Sequence, residues 1–192
     1  VLIEAVLEVL EACGETGRPL RIIDVGTGSG CLLITLLAEL PHATGVGVDI
    51  EAETLEVARR NALALGVADR ATFVLGDALA GIDETFDVLV SNPPYIRSAE
   101  MAGLDIEVRA HAPVRAIDGG TDGLDIYRRI AGRVARVVPR GWLFFEIGAG
   151  MAEAVRHEID QFAVDTPLND WRVWLDLNGH ARCVAAKTLN PG

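Results

Sequence analysis

The stretch from Leu20 to Leu40 restricts this chain more than any other. Leu20 to Val25 is a short buried strand rich in β-branched residues, and Gly26-Thr27-Gly28-Ser29-Gly30 follows at once. Cys31 to Leu40 is then an apolar helix that Pro41 ends. Strand, glycine loop and helix in that order bring backbone N–H groups and a helix N-terminus up to a ligand. Glycines matter because a Cβ would block the close approach. The spacing is G-x-G-x-G, preceded by Asp24, rather than the G-x-G-x-x-G of dinucleotide sites. Asp24, Gly26, Thr27, Gly28 and Gly30 are therefore candidate binding residues, although such a loop alone does not choose its ligand.

The rest of the chain extends the same alternation. Val1 to Cys13 has helical spacing and starts mid-pattern without a cap, which predicts that something precedes it in the full gene product. It forms a lead-in helix and loop over 1–19. Thr44 to Ile50 is a second strand, Glu53 to Leu65 a helix that Gly66 caps, and Ala71 to Leu75 a third strand. Asp87 to Val90 is the fourth. Arg97 to Gly123 has no clean period, the mark of a lid or binding loop, here on the substrate side. Leu124 to Val138 is again helical, Trp142 to Ile147 a fifth strand, and Met151 to Phe162 a helix. Arg172 to Leu177 and Arg182 to Lys187, with Asn178-Gly179 between them, read as a closing hairpin. The expectation is one α/β domain over 1–192: a seven-stranded, mostly parallel, Rossmann-like sheet with helices on both faces and a C-terminal antiparallel hairpin.

Three strand ends carry chemistry. Asp49, about 20 residues beyond the glycine loop, can accept both ribose hydroxyls of a nucleoside. Asp77, in Gly76-Asp77-Ala78, can accept from an adenine amino group or simply close a turn. After the fourth strand comes Ser91-Asn92-Pro93-Pro94-Tyr95. Its prolines cannot donate to a sheet and fix a stiff turn. An Asn92 side-chain oxygen beside the Pro93 carbonyl can accept both protons of a planar –NH2 group, with Tyr95 across its face. The alternative is a proline turn with a capping Asn.

Composition removes several classes. No uncharged apolar run approaches the roughly 20 residues of a membrane helix. The first residues carry Glu4 and Glu8 and no basic cluster, so they are not a secretory signal. Cys13, Cys31 and Cys183 lack CxxC spacing and the four histidines are dispersed, which argues for a reducing, cytoplasmic compartment and against disulfides or metal. A net charge of -11 disfavours a grip on nucleic-acid backbone and suits a basic protein partner.

The element order, with Asp24-Val25-Gly26-Thr27-Gly28-Ser29-Gly30, Asp49, Asp77 and Asn92-Pro93-Pro94-Tyr95, resembles class I S-adenosylmethionine-dependent methyltransferases. Val90 to Ile96, Glu107-Val108-Arg109, Asp118-Gly119-Gly120-Thr121-Asp122-Gly123-Leu124 and Glu146-Ile147-Gly148 are similar to the HemK/PrmC family. That resemblance implies N5-methylation of the glutamine in the Gly-Gly-Gln motif of peptide-chain release factors, with S-adenosylmethionine as cofactor and S-adenosylhomocysteine as product. It implies a release factor as protein partner, with Asn92, Pro93, Pro94 and Tyr95 at the substrate. Asp24, Gly26, Thr27, Gly28, Gly30, Asp49, Ile50, Asp77, Ala78 and Asn92 would then face the cofactor. Nucleic acid is not expected as direct substrate, nor a membrane as partner. Family members carry an N-terminal helical domain that this chain begins after. Many have Glu where Ala112 precedes Pro113, and a bulky residue where Ala78 stands, so covering adenine falls to Ile50 and Leu79. The alternatives are another glutamine-bearing protein such as a ribosomal protein, an adenine or guanine amine in nucleic acid, or a non-catalytic binding module.

Overall fold

The computed structural model describes residues 1–103, 117–163 and 165–189. Helix α1 (Leu2–Ala12) leads to β1 (Arg21–Val25), followed by α2 (Cys31–Glu39), β2 (Thr44–Asp49), α3 (Ala52–Ala64) and β3 (Ala71–Leu75). Beyond β4 (Val88–Ser91) the chain forms α4 (Asp125–Ala131), α5 (Val134–Val137), β5 (Trp142–Glu146) and α6 (Ala152–Phe162). It closes with β6 (Leu168–Leu175) and β7 (Ala181–Thr188).

Central strands buried on both sides need continuous apolar runs. In β1, Ile22 packs into one core layer and Ile23 into the other. Val88 and Val90 of β4 alternate with Leu89 in the same way, as do Trp142 and Phe144 of β5 with Leu143 and Phe145. Helices α1, α2 and α3 cover the first layer, and α4, α5 and α6 the second. The seven strands run in the order β3-β2-β1-β4-β5-β7-β6. Strands β1 to β5 are parallel, β7 runs antiparallel to β5, and β6 pairs antiparallel with β7 at the edge. The α/β expectation therefore holds. Because β2 and β3 lie to one side of β1 while β4 and β5 lie to the other, the carboxyl ends of β1 and β4 flank a topological switch point. Ligands of open α/β sheets bind there.

Three local expectations need correction. The helix expected over Leu124 to Val138 is broken at Gly132 and Arg133. Gly132 costs helix propensity, and Arg133 donates from its guanidinium to the Ile82 carbonyl at 3.0 Å instead of continuing a surface face. Strand β6 starts at Leu168, earlier than Arg172, because the edge tolerates an irregularity at Asp170, whose φ is 49°. The closing turn is longer than Asn178-Gly179: Asp176 N–H donates to the His180 carbonyl and Gly179 N–H to the Asp176 carbonyl, a three-residue loop with a left-handed glycine. Of the irregular segment, Ser98–Gly103 is a 3-10 turn; Glu107-Val108-Arg109 and Ala112-Pro113 lie outside the described residues. Among the described residues, no helix is long and apolar enough to cross a membrane, and no group of three potential metal ligands gathers.

Candidate active site

The switch point opens into a cavity of about 560 Å³, within the range of small-molecule sites. Four strand ends wall it: Gly26 and Gly28 after β1, Asp49 and Ile50 at β2, Asp77 and Ala78 beyond β3, and Asn92, Pro93 and Pro94 after β4. Asp24, Thr27, Gly30 and Tyr95 are not in its lining.

The glycine loop works differently from the sequence expectation. Gly26 and Thr27 N–H groups donate to the Val48 carbonyl at 2.8 and 3.0 Å, and Gly30 N–H to the Thr27 carbonyl at 2.9 Å. These donors satisfy carbonyls that would otherwise be left open, and lock the β1 loop onto the end of β2. They form no donor array of the kind a phosphate requires. Gly28 N–H has a more specific task, donating to Asp49 Oδ2 at 2.8 Å, while Glu51 N–H donates to Asp49 Oδ1 at 3.0 Å. The Asp49 carboxylate is thus held by backbone on both oxygens, and each oxygen keeps acceptor capacity for a ligand hydroxyl.

Asp24 lies fully buried beneath this loop. Its Oδ2 accepts from the Thr27 hydroxyl at 2.7 Å, whereas Oδ1 has no hydrogen-bond partner among the described residues. Burial pushes its pKa from the ordinary 3.8 up to about 7, against the lowering effect of the Thr27 hydroxyl. The fold thus favours the neutral acid, a contribution fully present below about pH 4 and lost as pH rises through 7. Asp24→Asn stays neutral throughout. Urea unfolding at pH 5 and pH 8 is expected to show the variant gaining on the wild-type chain at the higher pH by about 2–3 kcal/mol, because part of the penalty is already present at pH 5. A pH-independent difference would place the ionisation elsewhere.

The turn after β4 is anchored at its root. Ser91, fully buried, donates its hydroxyl to the Val25 carbonyl at 2.7 Å, so the loops after β1 and β4 are tied side by side. Sequence reasoning gave Ser91 no such role, because its partner is remote in the chain. Pro93 is buried and Asn92 exposed at the cavity wall, where none of the described residues binds its carboxamide. Tyr95, partly exposed, lies just beyond the cavity lining. Its ring packs beside Gly148, where a Cβ would come within 3.1 Å of Cδ2, and contributes to the second core layer.

The glycine-rich turn at 118–123 has a clear partner: the Asn-Pro-Pro-Tyr turn itself. Gly119 N–H donates to the Ile96 carbonyl at 2.8 Å, and Ser98 N–H to the Gly120 carbonyl at 2.9 Å. Asp118 Oδ1 accepts from Gly120 N–H at 2.9 Å and from the Ser98 hydroxyl at 2.7 Å, and both bonds hold its pKa below the ordinary range. At Gly119 a Cβ would lie 2.7 Å from the Pro94 carbonyl oxygen and 2.8 Å from the Tyr95 Cα. Only glycine allows that approach. Leu79, expected to help cover adenine, is instead buried in the second core layer, leaving Ile50 as the exposed apolar wall on that side.

A family described as the methyltransferase small domain matches residues 4–113, more than half of the chain, including every one of the four strand ends above. The chain belongs to the methyltransferase small domain family. A release factor glutamine methyltransferase from Rhodospirillum rubrum is 46% identical over the whole of this chain, which covers 56% of that protein. Another, from Bradyrhizobium diazoefficiens, is 44% identical over 99% of the chain, covering 63% of its own length. The chain therefore spans little more than half of the curated relatives it matches. Among solved structures, TrmN from Thermus thermophilus superposes with a TM-score of 0.67 at 22% identity, over 98% of this chain and 48% of that one, a likeness of fold. In this methyltransferase small domain, the described residues bring one backbone-held carboxylate, a second carboxylate, an apolar wall and the Asn92-Pro93-Pro94 turn into a single cavity.

Proposed function

We propose that the chain binds S-adenosylmethionine in this cavity and transfers its methyl group to the side-chain amide nitrogen of a glutamine, the one in the Gly-Gly-Gln motif of peptide-chain release factors. The observation that carries the reading is the opening of the Asn92-Pro93 turn onto the cavity that Asp49 walls. The names of the relatives support the choice of substrate.

The cofactor, when bound, supplies a methyl group on a sulfonium with a good leaving group. Asp49 accepts from the ribose hydroxyls, Asp77 from the adenine amino group, and Ile50 covers apolar surface. Asn92 Oδ1 and the Pro93 carbonyl accept the two N–H groups of the substrate amide and fix its nitrogen in line with the methyl. An amide nitrogen is a poor nucleophile, because its lone pair is delocalised into the carbonyl. As the new C–N bond forms, the N–H groups gain positive character, so both acceptors bind more strongly in the transition state than before it. Alignment alone can be worth effective molarities of ~10^5 M or more. With the S–CH3 bond broken and its electron pair left on the thioether sulfur, the alkylated nitrogen would give up its proton to solvent after transfer, a step that needs no dedicated side-chain base.

Incubating the chain with methyl-labelled S-adenosylmethionine and release factor, ribosomal protein or RNA in parallel tests the reading. Label is expected in the release factor alone; label in RNA alone would reassign the amine. Asp49→Ala is expected to weaken cofactor binding by about 1–3 kcal/mol, the scale of lost charge-assisted hydrogen bonds. Calorimetry on the isolated chain measures it, and unchanged affinity would move the ribose elsewhere.

A further inference from the structure

Asp49 and Asp77 occupy equivalent places, each at the end of a strand and in the cavity wall, yet they are held differently. Asp49 takes a backbone N–H on each oxygen. Among the described residues no backbone N–H and no hydroxyl holds the Asp77 carboxylate; its partner is the Arg129 guanidinium, which reaches it from α4. Arg129 itself lines the cavity.

The helix that presents Arg129 is firmly placed. Tyr127 is fully buried and donates its hydroxyl to the Glu146 carbonyl at 2.7 Å. Arg128 bonds the Asp122 carboxylate and donates from Nε to Glu158 at 2.6 Å, tying α4 to α6. With its two preceding residues pinned, Arg129 projects from a fixed base. The Arg129–Asp77 pair is about half exposed on both sides, at 45% and 46%, so it contributes little to stability. A planar base lying against it would exclude water and strengthen it.

We propose that Arg129 is a positioning residue for the adenine end of the cavity. It fixes the Asp77 carboxylate as an acceptor for the adenine amino group, and so sets the preference for adenine over a base with a carbonyl in that place. The inference rests on the cofactor reading above. A carboxylate held by one guanidinium keeps acceptor capacity for an N–H and repels a carbonyl oxygen. Without Arg129, the Asp77 side chain is expected to swing into solvent and lose that discrimination.

The test measures equilibrium binding of S-adenosylhomocysteine and its deaminated analogue S-inosylhomocysteine to the 192-residue chain. The wild-type chain is expected to prefer the adenine compound roughly tenfold or more, the scale of one charge-assisted hydrogen bond. Arg129→Ala is expected to bring the ratio within about threefold at an unchanged urea midpoint, since an exposed pair adds little stability. Arg129→Lys, which keeps the cation, restores most of the preference. In an Asp77→Asn background, adding Arg129→Ala changes nothing further. A wild-type ratio in Arg129→Ala overturns the proposal, and so does a further fall in the Asp77→Asn background, which would mean Arg129 reads the base directly. If the wild-type chain binds neither compound, the cofactor reading itself fails, and this inference with it.

Discussion

Asn92→Ala is expected to lower methyl transfer to a glutamine substrate by a hundredfold or more, through kcat rather than KM. The carboxamide is exposed at the cavity wall, fills no core and is bound by none of the described residues, so its removal leaves the fold intact. Its acceptor strengthens as the attacking nitrogen becomes positive, and a group that acts in the transition state shows its loss in kcat. Loss of one such preorganised partner is the reason for the magnitude. Cofactor affinity is expected to fall only modestly, because Asp49 and Asp77 are untouched. Steady-state kinetics with a Gly-Gly-Gln peptide, beside calorimetry with S-adenosylhomocysteine, separates the two effects. Retained turnover would remove the amide-holder account.

Gly123→Ala is expected to reach a comparable loss without touching any reacting group. Gly123 has a φ of 81°, and a Cβ there would press on the Tyr95 carbonyl oxygen. Backbone against backbone cannot yield as a flexible side chain does, so the turn at Pro94 and Tyr95 must shift. A displacement of about 1 Å at a positioning element costs on the order of a hundredfold in rate. The Asp49 carboxylate, proposed to hold the ribose, is anchored through Gly28 and Glu51 and not through the 118–123 turn, so cofactor binding is expected to stay near wild type. Gly132→Ala is the control: no φ in the left-handed region, and a nearest contact of 3.6 Å to the Arg128 carbonyl. It is expected to be neutral or slightly stabilising in unfolding experiments. Equal activity of Gly123→Ala and Gly132→Ala would contradict the buttress.

What the sequence made legible is local. Alternating runs such as Ile22-Ile23 and Leu143-Phe144-Phe145 announce strands buried on two faces, and Pro41, Gly66 and Pro139 punctuate the helices. Asp49, Asp77 and Asn92 were readable because each stands at the end of an apolar run, and parallel strands bring such ends to one edge of the sheet. The unread part depends on partners distant in the chain. The bond from Ser91 to Val25, the pairing of Arg129 with Asp77 and the seating of Gly119 on Pro94 leave no periodic trace. The glycines of Asp118-Gly119-Gly120 are legible in the sequence, but the turn they seat against is not. Tyr95 was read as lying across the face of the held –NH2 group; the packing of its ring beside Gly148, fixed by a residue remote in the chain, was not readable. The break at Gly132 is signalled by glycine, yet apolar spacing across it outweighed that signal.

The position of a bound glutamine amide decides the role of Asn92 and Pro93. A crystal structure of the chain with S-adenosylhomocysteine and a Gly-Gly-Gln peptide is expected to place the glutamine amide nitrogen about 3 Å from both Asn92 Oδ1 and the Pro93 carbonyl oxygen, with the thioether sulfur on its open side. A bound peptide whose glutamine points away from that turn, or a nucleoside lying outside the Asp49 cavity, would contradict it.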